Sequence, residues 1–377
     1  MAEADESILN KGLEGIVVAT SEICKIDGAN GKLYYRGYSI GDLANGSYEE
    51  TSYLLIYGRL PNRKELSEFS ATLVRERELP KHIVDILMAL PNDTNSMEAL
   101  RTCVSALGHG ARDPREVSLE EQTRMGIALV AKFPTIVAYN YRLRNGQQIV
   151  APNPRLGHAA NFLYMLFGKE PDQLDARAMD MDFILHAEHS FNASTFATRV
   201  TVSTLSDIYS AFTTGIGTLK GPLHGGAALE VSLMLEKIGS PDKVDGYVRE
   251  VLSGHGRVMG YGHRVYKTYD PRARVLNNMA LEISQKRGDM RYYEIAQKLE
   301  GIMASEKNLY PNVDFYSGIV YHHLGMPADI NTPIFAIARA SGWVAHCVEQ
   351  YKNNRLIRPL DQYIGPLDLK YTKIDDR

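Results

Sequence analysis

SFNASTFATRVTVSTLSDIYSAFTTGIGTLKGPLHGGAALEVSLM, residues 190–234, is the stretch that decides the fold class. Only Arg199, Asp207, Lys220 and Glu230 carry charge among these 45 positions, and Ala, Ser, Thr and Gly are abundant. Helices so poor in charge are buried on most sides. Small residues also allow neighbouring helices to pack closely. We therefore predict a central helical layer, which a second subunit could share.

Helical periodicity also dominates the sequence on both sides of this stretch. Residues 47–58 begin with Ser47 and carry Glu50 three positions later, which is the capping-box pattern of a helix start. Only residues 16–38 are typical of strands, where IVVAT and KLYYRG flank a turn. The predicted class is all-α with a small N-terminal β element. Further helical patterns cover residues 65–78, 82–90, 97–108, 120–146, 158–168, 176–189, 242–254, 271–287, 291–307 and 332–354.

Composition and charge restrict the broad class of protein. The chain has 377 residues, more than one hydrophobic core usually serves, so two domains are expected. A net charge of −3 argues against a general nucleic-acid or membrane-surface binder. No apolar run approaches the ~18 residues that a membrane helix needs. The start MAEADESILNKG has no secretion-signal features. Three widely spaced cysteines suit a reducing compartment. A cytoplasmic location is therefore expected.

His224 lies in KGPLHGGAALEV, residues 220–231, between a proline and two glycines and ahead of a predicted helix. The first N–H groups of a helix lack partners, so a helix start is electropositive and disfavours a second positive charge. A neutral imidazole there could donate an N–H to an oxygen that gains negative charge. The alternative is a histidine that only caps the helix, and this stretch alone does not separate the two interpretations.

Two arginines occupy positions that packing and helix electrostatics disfavour. Arg272 follows Asp270 and Pro271 in a first helical turn, where a cation is unfavourable unless an anion binds. Arg339, in FAIARASGW, has apolar or small neighbours at helical spacings, so its guanidinium needs a partner such as a carboxylate. Asp270 could itself neutralise Arg272, and a buried acid could pair with Arg339. Arg358 precedes a proline and, taken alone, is typical of a surface residue.

Other histidines and one aspartate are further candidates. His263 follows a Gly-Tyr-Gly loop, and His189 lies just before the charge-poor segment. His186 and His189, with Glu188 between them, suggest a metal site, but HAEH differs from the HExxH pattern and no metal is predicted. Asp314, in YPNVDFYSG, is either a structural first-turn acid or a catalytic carboxylate.

Six motifs occur in the order LHAEHSFNAST, LKGPLHGGA, MGYGHRVYKTYDPRA, YPNVDFYSG, FAIARASGW and RLIRPLDQYIG. In this order and spacing they resemble the citrate synthase family, and the resemblance extends over nearly the whole chain. It implies a homodimer of two-domain, multi-helical subunits. A large domain would comprise residues 1–221 and 320–377 and form the dimer interface. A small domain, residues 222–319, would lie on the coenzyme A side of the cleft.

The resemblance also implies a reaction and a set of roles. The family condenses acetyl-CoA with oxaloacetate and hydrolyses the citryl-CoA formed, with no metal or redox cofactor. By resemblance, His224 stabilises the enol, Asp314 is the base and His263 polarises and protonates the ketone. The implied oxaloacetate ligands are His189, His263, Arg272, Arg339 and Arg358, the last from the neighbouring subunit. The implied coenzyme A contacts are Gly260, Tyr261, Gly262 and Lys267.

Three alternatives stay open on the sequence. 2-Methylcitrate synthases use propionyl-CoA and share all six motifs, and room for one methyl group is worth only ~1–3 kcal/mol. A metal-dependent hydrolase built on the histidines is the second. The third is a non-catalytic binding module that uses Arg272 and Arg339. Nucleotide-binding loops are excluded, because GIGTLK (215–220) and GANGKL (28–33) lack the required spacing.

Overall fold

A computed structural model describes residues 10–254, 256–263 and 265–377, and helices dominate this part of the chain. The all-α class predicted from the sequence is confirmed. The helices are α1 Ile40–Leu43, α2 Tyr48–Tyr57, α3 Arg63–Glu76, α4 Lys81–Ala89, α5 Ser96–Leu107, α6 Leu119–Arg144, α7 His158–Phe167, α8 Gln173–His186, α9 Ala193–Ser203, α10 Ile208–Leu219, α11 Ala227–Ile238, α12 Val244–Ser253, α13 Pro271–Arg287, α14 Arg291–Lys307, α15 Val313–His323 and α16 Asn331–Lys352.

One small antiparallel sheet lies near the N-terminus, with strands β1 Cys24–Asp27, β2 Lys32–Tyr35 and β3 Tyr38–Ser39 in that order. Its first pair joins Cys24 with Tyr35. The strand predicted at KLYYRG is thus confirmed. The strand predicted at residues 16–20 is wrong, because these residues are exposed and pair with no strand in the described part of the chain; the sheet begins at Cys24 instead.

Local helix signals in the sequence correspond to observed caps. Ser47 and Glu50 form a complete capping box at the start of α2. Asp270 caps α13, and Pro271 is the first residue of that helix. Asn312 caps α15 through the backbone N–H of Asp314. These caps fix the starts of the two helices that carry Arg272 and Asp314.

The charge-poor segment forms the centre of the helical packing. α9 and α10 contact each other and also contact α16, which packs in turn against α6, α2 and α8. Close approach depends on Gly215 of α10, since a Cβ there would lie 2.7 Å from Cγ2 of Thr198 and 3.2 Å from the ring of Trp343. The side chain of Trp343 is fully buried. The predicted central layer is therefore present within one subunit.

α11 to α15 form a second group of helices, in which α15 contacts α11, α13 and α14. This group meets the rest of the subunit through contacts of α13 and α15 with α8 and of α11 with α16. The predicted domain limit after residue 221 falls in the loop between α10 and α11, whereas the limit before residue 320 falls inside α15. The division into two domains stays a prediction.

Both ends of the described chain expose large apolar side chains. These residues are Leu13, Ile16, Val17, Val18, Leu356, Leu360, Tyr363, Ile364, Leu367, Leu369, Tyr371 and Ile374.

No helix in the described ranges has the length and apolar character needed to span a membrane.

Candidate active site

A cavity of about 620 Å³ lies among α9, α13, α15, α16 and the loops that connect them. Residues far apart in the sequence meet in its walls, and most of the candidates singled out by sequence are among them. These lining candidates are His189, His224, His263, Arg272, Asp314 and Arg339.

His224 lies in the loop between α10 and α11, and its Nε2 faces the start of α9. The backbone N–H of Ser194 donates to Nε2 at 3.2 Å, and the Ser194 hydroxyl oxygen lies 2.8 Å from the same nitrogen. Because a backbone N–H can only donate, Nε2 is unprotonated and the imidazole carries its proton on Nδ1. Burial, followed by the charge of Arg339, lowers the pKa of His224 to about 4. His224 is thus a neutral donor through Nδ1.

The helix start that His224 faces is that of α9 and not that of α11. The loop folds back on the end of α10, where the N–H of Gly225 donates to the carbonyl oxygen of Leu219 at 3.1 Å. A Cβ at Gly225 would lie 2.3 Å from that oxygen, so the turn requires glycine. This turn carries the imidazole away from α11 and toward Ser194.

His263 and His189 lie side by side, with ring centroids 5.1 Å apart. Nδ1 of His263 accepts the backbone N–H groups of Val265 and Tyr266 at 2.9 and 3.2 Å, so its proton is on Nε2. Burial and the charge of Arg272 lower the pKa of His263 to about 4. The same two causes place the pKa of His189 well below its ordinary value, and its Nε2 lies 3.2 Å from the Tyr266 hydroxyl. Both imidazoles are therefore neutral near pH 7.

Arg272 is buried in the first turn of α13 and is held by Asp270. Its Nε and Nη2 donate to the two carboxylate oxygens at 3.1 and 2.8 Å. Burial alone would lower the pKa of Arg272, but the pairing with Asp270 raises it. Asp270 therefore neutralises the charge of Arg272, which was one of the two interpretations of the sequence. Arg272 also lines the cavity, so the second interpretation, an anion-binding role, stays open.

Arg339 is the cation in the cavity whose hydrogen bonds are least complete. Its side chain is only 1% exposed, and Nε donates to the carbonyl oxygen of His186 at 2.8 Å. Nη1 and Nη2 are buried and have no hydrogen-bond partner among the described residues. The guanidinium carbon lies 4.8 Å from the centre of the Phe335 ring. Unpaired donors on a buried cation are costly, so the cavity favours an anion with carboxylate geometry.

Asp314 is the second residue of α15, and its backbone N–H donates to the Asn312 side chain at 3.1 Å. Burial raises the pKa of the Asp314 carboxyl, while the charges of His186 and Arg272 oppose this rise. A carboxylate whose pKa is raised toward neutrality is a better proton acceptor than an ordinary aspartate. The side chain lies in the same cavity as His224.

The Gly-Tyr-Gly loop supports the start of α15. The N–H of Asn312 donates to the carbonyl oxygen of Gly260 at 2.9 Å, and its Nδ2 donates to that of Gly262 at 3.1 Å. Gly260 has φ +78°, and a Cβ there would lie 2.9 Å from Cβ of Phe315. The loop therefore fixes the cap of the helix that carries Asp314. Tyr261 packs on Phe315, with ring centroids 4.7 Å apart.

Five predicted binding residues lie outside the cavity lining, namely Lys267, Arg358 and the three residues of the Gly-Tyr-Gly loop, Gly260, Tyr261 and Gly262. Lys267 is exposed, and its backbone N–H donates to the carbonyl oxygen of Gly28 at 2.9 Å. Arg358 is exposed in the segment that follows α16. The structure of one chain thus gathers His189, His263, Arg272 and Arg339 but not Arg358. Among the described residues, no group of three or more His, Cys, Asp or Glu side chains is arranged to hold a metal ion.

Sequence reasoning missed Ser194, Tyr266 and Phe335. Ser194 follows Asn192, which caps α9, so the cap pattern in FNAST could have located this helix start. Phe335 precedes Arg339 by one helical turn, a spacing visible in FAIAR. Tyr266 contacts His189 through a tertiary contact that no local pattern signals.

Known proteins resemble this chain over almost its full length. The family model for the citrate synthase C-terminal domain matches residues 12–360. The citrate synthase of Haloferax volcanii is 46% identical over 379 residues, covering 98% of this chain and 99% of that protein. The 2-methylcitrate synthase 1 of Corynebacterium glutamicum is 39% identical over 378 residues, covering 99% of each.

Solved structures agree in fold as well as in sequence. Citrate synthase from Pyrobaculum aerophilum is 44% identical and has a TM-score of 0.91. The match covers 97% of this chain and 95% of the Pyrobaculum aerophilum chain. Citrate synthase from Thermoplasma acidophilum, in a ternary complex with carboxymethyl coenzyme A and oxaloacetate, is 35% identical and has a TM-score of 0.91. The match covers 98% of this chain and 99% of that one. The chain therefore belongs to the citrate synthase family.

Proposed function

We propose that this protein is a citrate synthase, an acyltransferase that condenses acetyl-CoA with oxaloacetate and water to give citrate and coenzyme A. Arg339 carries the proposal: a buried guanidinium with two unpaired donor groups lies in a cavity that also holds neutral imidazoles and a carboxylate. A dianion with a ketone matches this set of groups. The related Thermoplasma acidophilum enzyme, named as a complex with oxaloacetate, supports the choice. The activity is that of the tricarboxylic acid cycle.

Enolisation of acetyl-CoA is the first step. Asp314 takes a proton from the thioester methyl group while Nδ1–H of His224 donates to the thioester oxygen. The methyl proton is far too weakly acidic for an unaided carboxylate, so both groups must act together, each role worth ~10²–10⁴ in rate. A neutral donor aimed at the oxygen where charge develops stabilises the enolate without giving up its own proton.

Carbon–carbon bond formation is the second step. Arg272, Arg339 and His189 hold oxaloacetate, and Nε2–H of His263 points to its ketone oxygen. The enolate carbon attacks the ketone carbon, and the proton of His263 passes to the oxygen that becomes the citrate hydroxyl. Water then cleaves the citryl thioester and releases coenzyme A. No metal or redox cofactor takes part in this scheme.

Coenzyme A and the two-domain layout complete the proposal. The coenzyme A contacts are Gly260, Tyr261, Gly262 and Lys267, and the loop they belong to also holds the start of α15. A small domain of residues 222–319 would close over bound oxaloacetate before acetyl-CoA reacts. Such closure keeps water away from the enol.

A homodimer would supply the third arginine. Both chain ends expose clusters of large apolar side chains, which is typical of surfaces that another chain covers. Arg358 lies within the C-terminal one, between Leu356 and Leu360. We therefore assign to each site Arg358 of the partner subunit.

Mixed dimers test this assignment. If Arg358 acts in the neighbouring subunit, D314N and R358A chains that are inactive alone restore one complete site in each heterodimer. Unfolding and refolding an equal mixture should then recover about a quarter of wild-type turnover, because half of randomly paired C2 dimers are mixed and each has one intact site. Each variant refolded alone is the control. No gain on mixing would place Arg358 in its own subunit's site or outside catalysis.

A thiol-release assay with two acyl-CoAs tests the function itself. We expect coenzyme A release from acetyl-CoA only when oxaloacetate is present, and a higher kcat/KM for acetyl-CoA than for propionyl-CoA. One methyl group in an apolar pocket changes kcat/KM by about 10–200-fold. A propionyl-CoA preference would instead assign 2-methylcitrate synthase activity. Release without oxaloacetate, or no release with either acyl-CoA, contradicts the condensation.

A further inference from the structure

The last turn of α8 holds a buried imidazole that the proposed mechanism does not use. His186 is only 1% exposed. Its Nδ1 lies 3.0 Å from the carbonyl oxygen of Asp182 and 3.3 Å from Oδ1 of the same residue. Since a carbonyl oxygen can only accept, Nδ1 carries a proton. The imidazole is therefore anchored by Asp182 on one edge.

Asp182 in turn connects α8 to the helix that carries Asp314. Its carboxylate is fully buried, and Oδ2 accepts a hydrogen bond from the Tyr321 hydroxyl at 2.8 Å. Tyr321 follows Asp314 by seven residues on α15, which is two helical turns, so both side chains project from the same side of that helix. The hydrogen bond thus fastens this side of α15 to α8.

His186 also touches the walls of the cavity. Its ring lies 5.0 Å from the ring of Phe335, which lines the cavity together with Asp314. Its carbonyl oxygen accepts the Nε–H of Arg339 at 2.8 Å. The residue therefore holds Arg339 through its backbone carbonyl and contacts the cavity wall at Phe335 through its ring.

The charges around Asp314 show what the imidazole contributes. Asp314 is faced by His186 and Asp182 from α8 and by Asp270 and Arg272 from the start of α13. His186 is faced by Asp182, Asp314 and Arg272. Burial alone would lower the pKa of His186, but the charges of the Asp182 and Asp314 carboxylates outweigh burial and the pKa is raised. A buried carboxylate such as Asp182 also needs a cation beside it.

We propose that His186 is a positioning residue for the condensation: held as a cation by Asp182, it keeps the Asp314 carboxylate ionised and fixed inside a buried site. Asp182 anchors this cation, and its hydrogen bond with Tyr321 separately fastens α15 to α8. The inference rests on the proposed function, in which Asp314 is the base, and it adds the group that makes a buried carboxylate usable.

The pH profile of a His186→Gln variant of the full-length protein tests the proposal. Glutamine keeps an N–H for the Asp182 carbonyl but carries no charge. Loss of a neighbouring cation makes ionisation of Asp314 less favourable, so the acidic limb of the kcat profile should move to higher pH by about one unit. Above that limb, kcat should recover toward the wild-type value.

Tyr321→Phe is the matched control. It removes another hydrogen bond of Asp182 without removing a charge, so it should lower the melting temperature and leave the acidic limb at the wild-type pH. An unmoved limb in H186Q, or an equal shift in Y321F, would overturn the proposal. If the wild-type protein shows no oxaloacetate-dependent thiol release, the proposed function has failed, which is a different result from an active enzyme whose limb does not move.

A second measurement does not depend on any variant. Neutron diffraction from a deuterated crystal of the wild-type protein near pH 7 should show deuterium on both ring nitrogens of His186. His224 and His263 provide internal references, since each should carry deuterium on one nitrogen only. A single deuterium on His186 would overturn the proposal, whether or not H186Q folds.

Discussion

Replacement of Asp314 by asparagine is expected to lower kcat for citrate formation by at least about 10²-fold, because the amide cannot accept the methyl proton and general-base roles contribute ~10²–10⁴. Asparagine preserves the shape of the side chain, and the backbone hydrogen bond to Asn312 does not involve the carboxylate. The fold and the cap of α15 should therefore persist. The measurement is oxaloacetate-dependent thiol release with both substrates saturating.

Asp245→Asn is the matched control for this substitution. Asp245 is also an acid in a first helical turn, at the start of α12, but it is exposed and lies outside the cavity lining. Exposed substitutions of this kind change stability by less than about 0.5 kcal/mol, and turnover should be close to wild type. Near-normal kcat in D314N would remove Asp314 from the mechanism.

Replacement of His224 by alanine is expected to have a similar effect. Loss of one donor at an oxygen where charge develops costs about 10²–10³ in kcat. The KM for oxaloacetate should change much less, since the proposed mechanism places His224 at the acyl thioester and not at the dicarboxylate. Because its pKa is about 4, His224 is neutral from pH 6 to pH 8, and the loss should be nearly constant across that range. Steady-state kinetics at several pH values measure both quantities.

His82→Ala supplies the comparison, because His82 is exposed on α4 and lies outside the cavity lining. Its turnover should match that of the wild-type protein. A wild-type kcat in H224A, or a loss expressed mainly in the KM for oxaloacetate, would refute the role of His224 as the enol donor.

The helical fold could be predicted from the sequence because the patterns that mark helix starts are local. The capping box at Ser47 and Glu50 and the Asp270–Pro271 start of α13 each need only a few adjacent residues, and each is observed. The strand at residues 16–20 failed for the complementary reason. β-Propensity there was high, but a strand also needs a partner backbone, and no described strand pairs with these residues.

Site residues could be predicted from the sequence where a charged side chain occurs among apolar neighbours. Arg339 could be singled out because a guanidinium does not suit an apolar helix face, and its burial with unpaired donors is what the structure shows. The helix start faced by His224 could not be assigned from sequence, because the turn at Gly225 directs the loop to Ser194, which lies 30 residues away. Arg358 lies outside the cavity lining of this chain, so its proposed role in a second chain's site stays a prediction.

The two unpaired donors of Arg339 should make the stability of this protein depend on an anionic ligand. A ligand that binds only the folded state stabilises that state by RT ln(1 + [L]/Kd), which is about 2.7 kcal/mol at a hundredfold excess over Kd. An anion that pairs with Arg339 should therefore raise the melting temperature of the protein, and the rise should grow with the concentration of that anion.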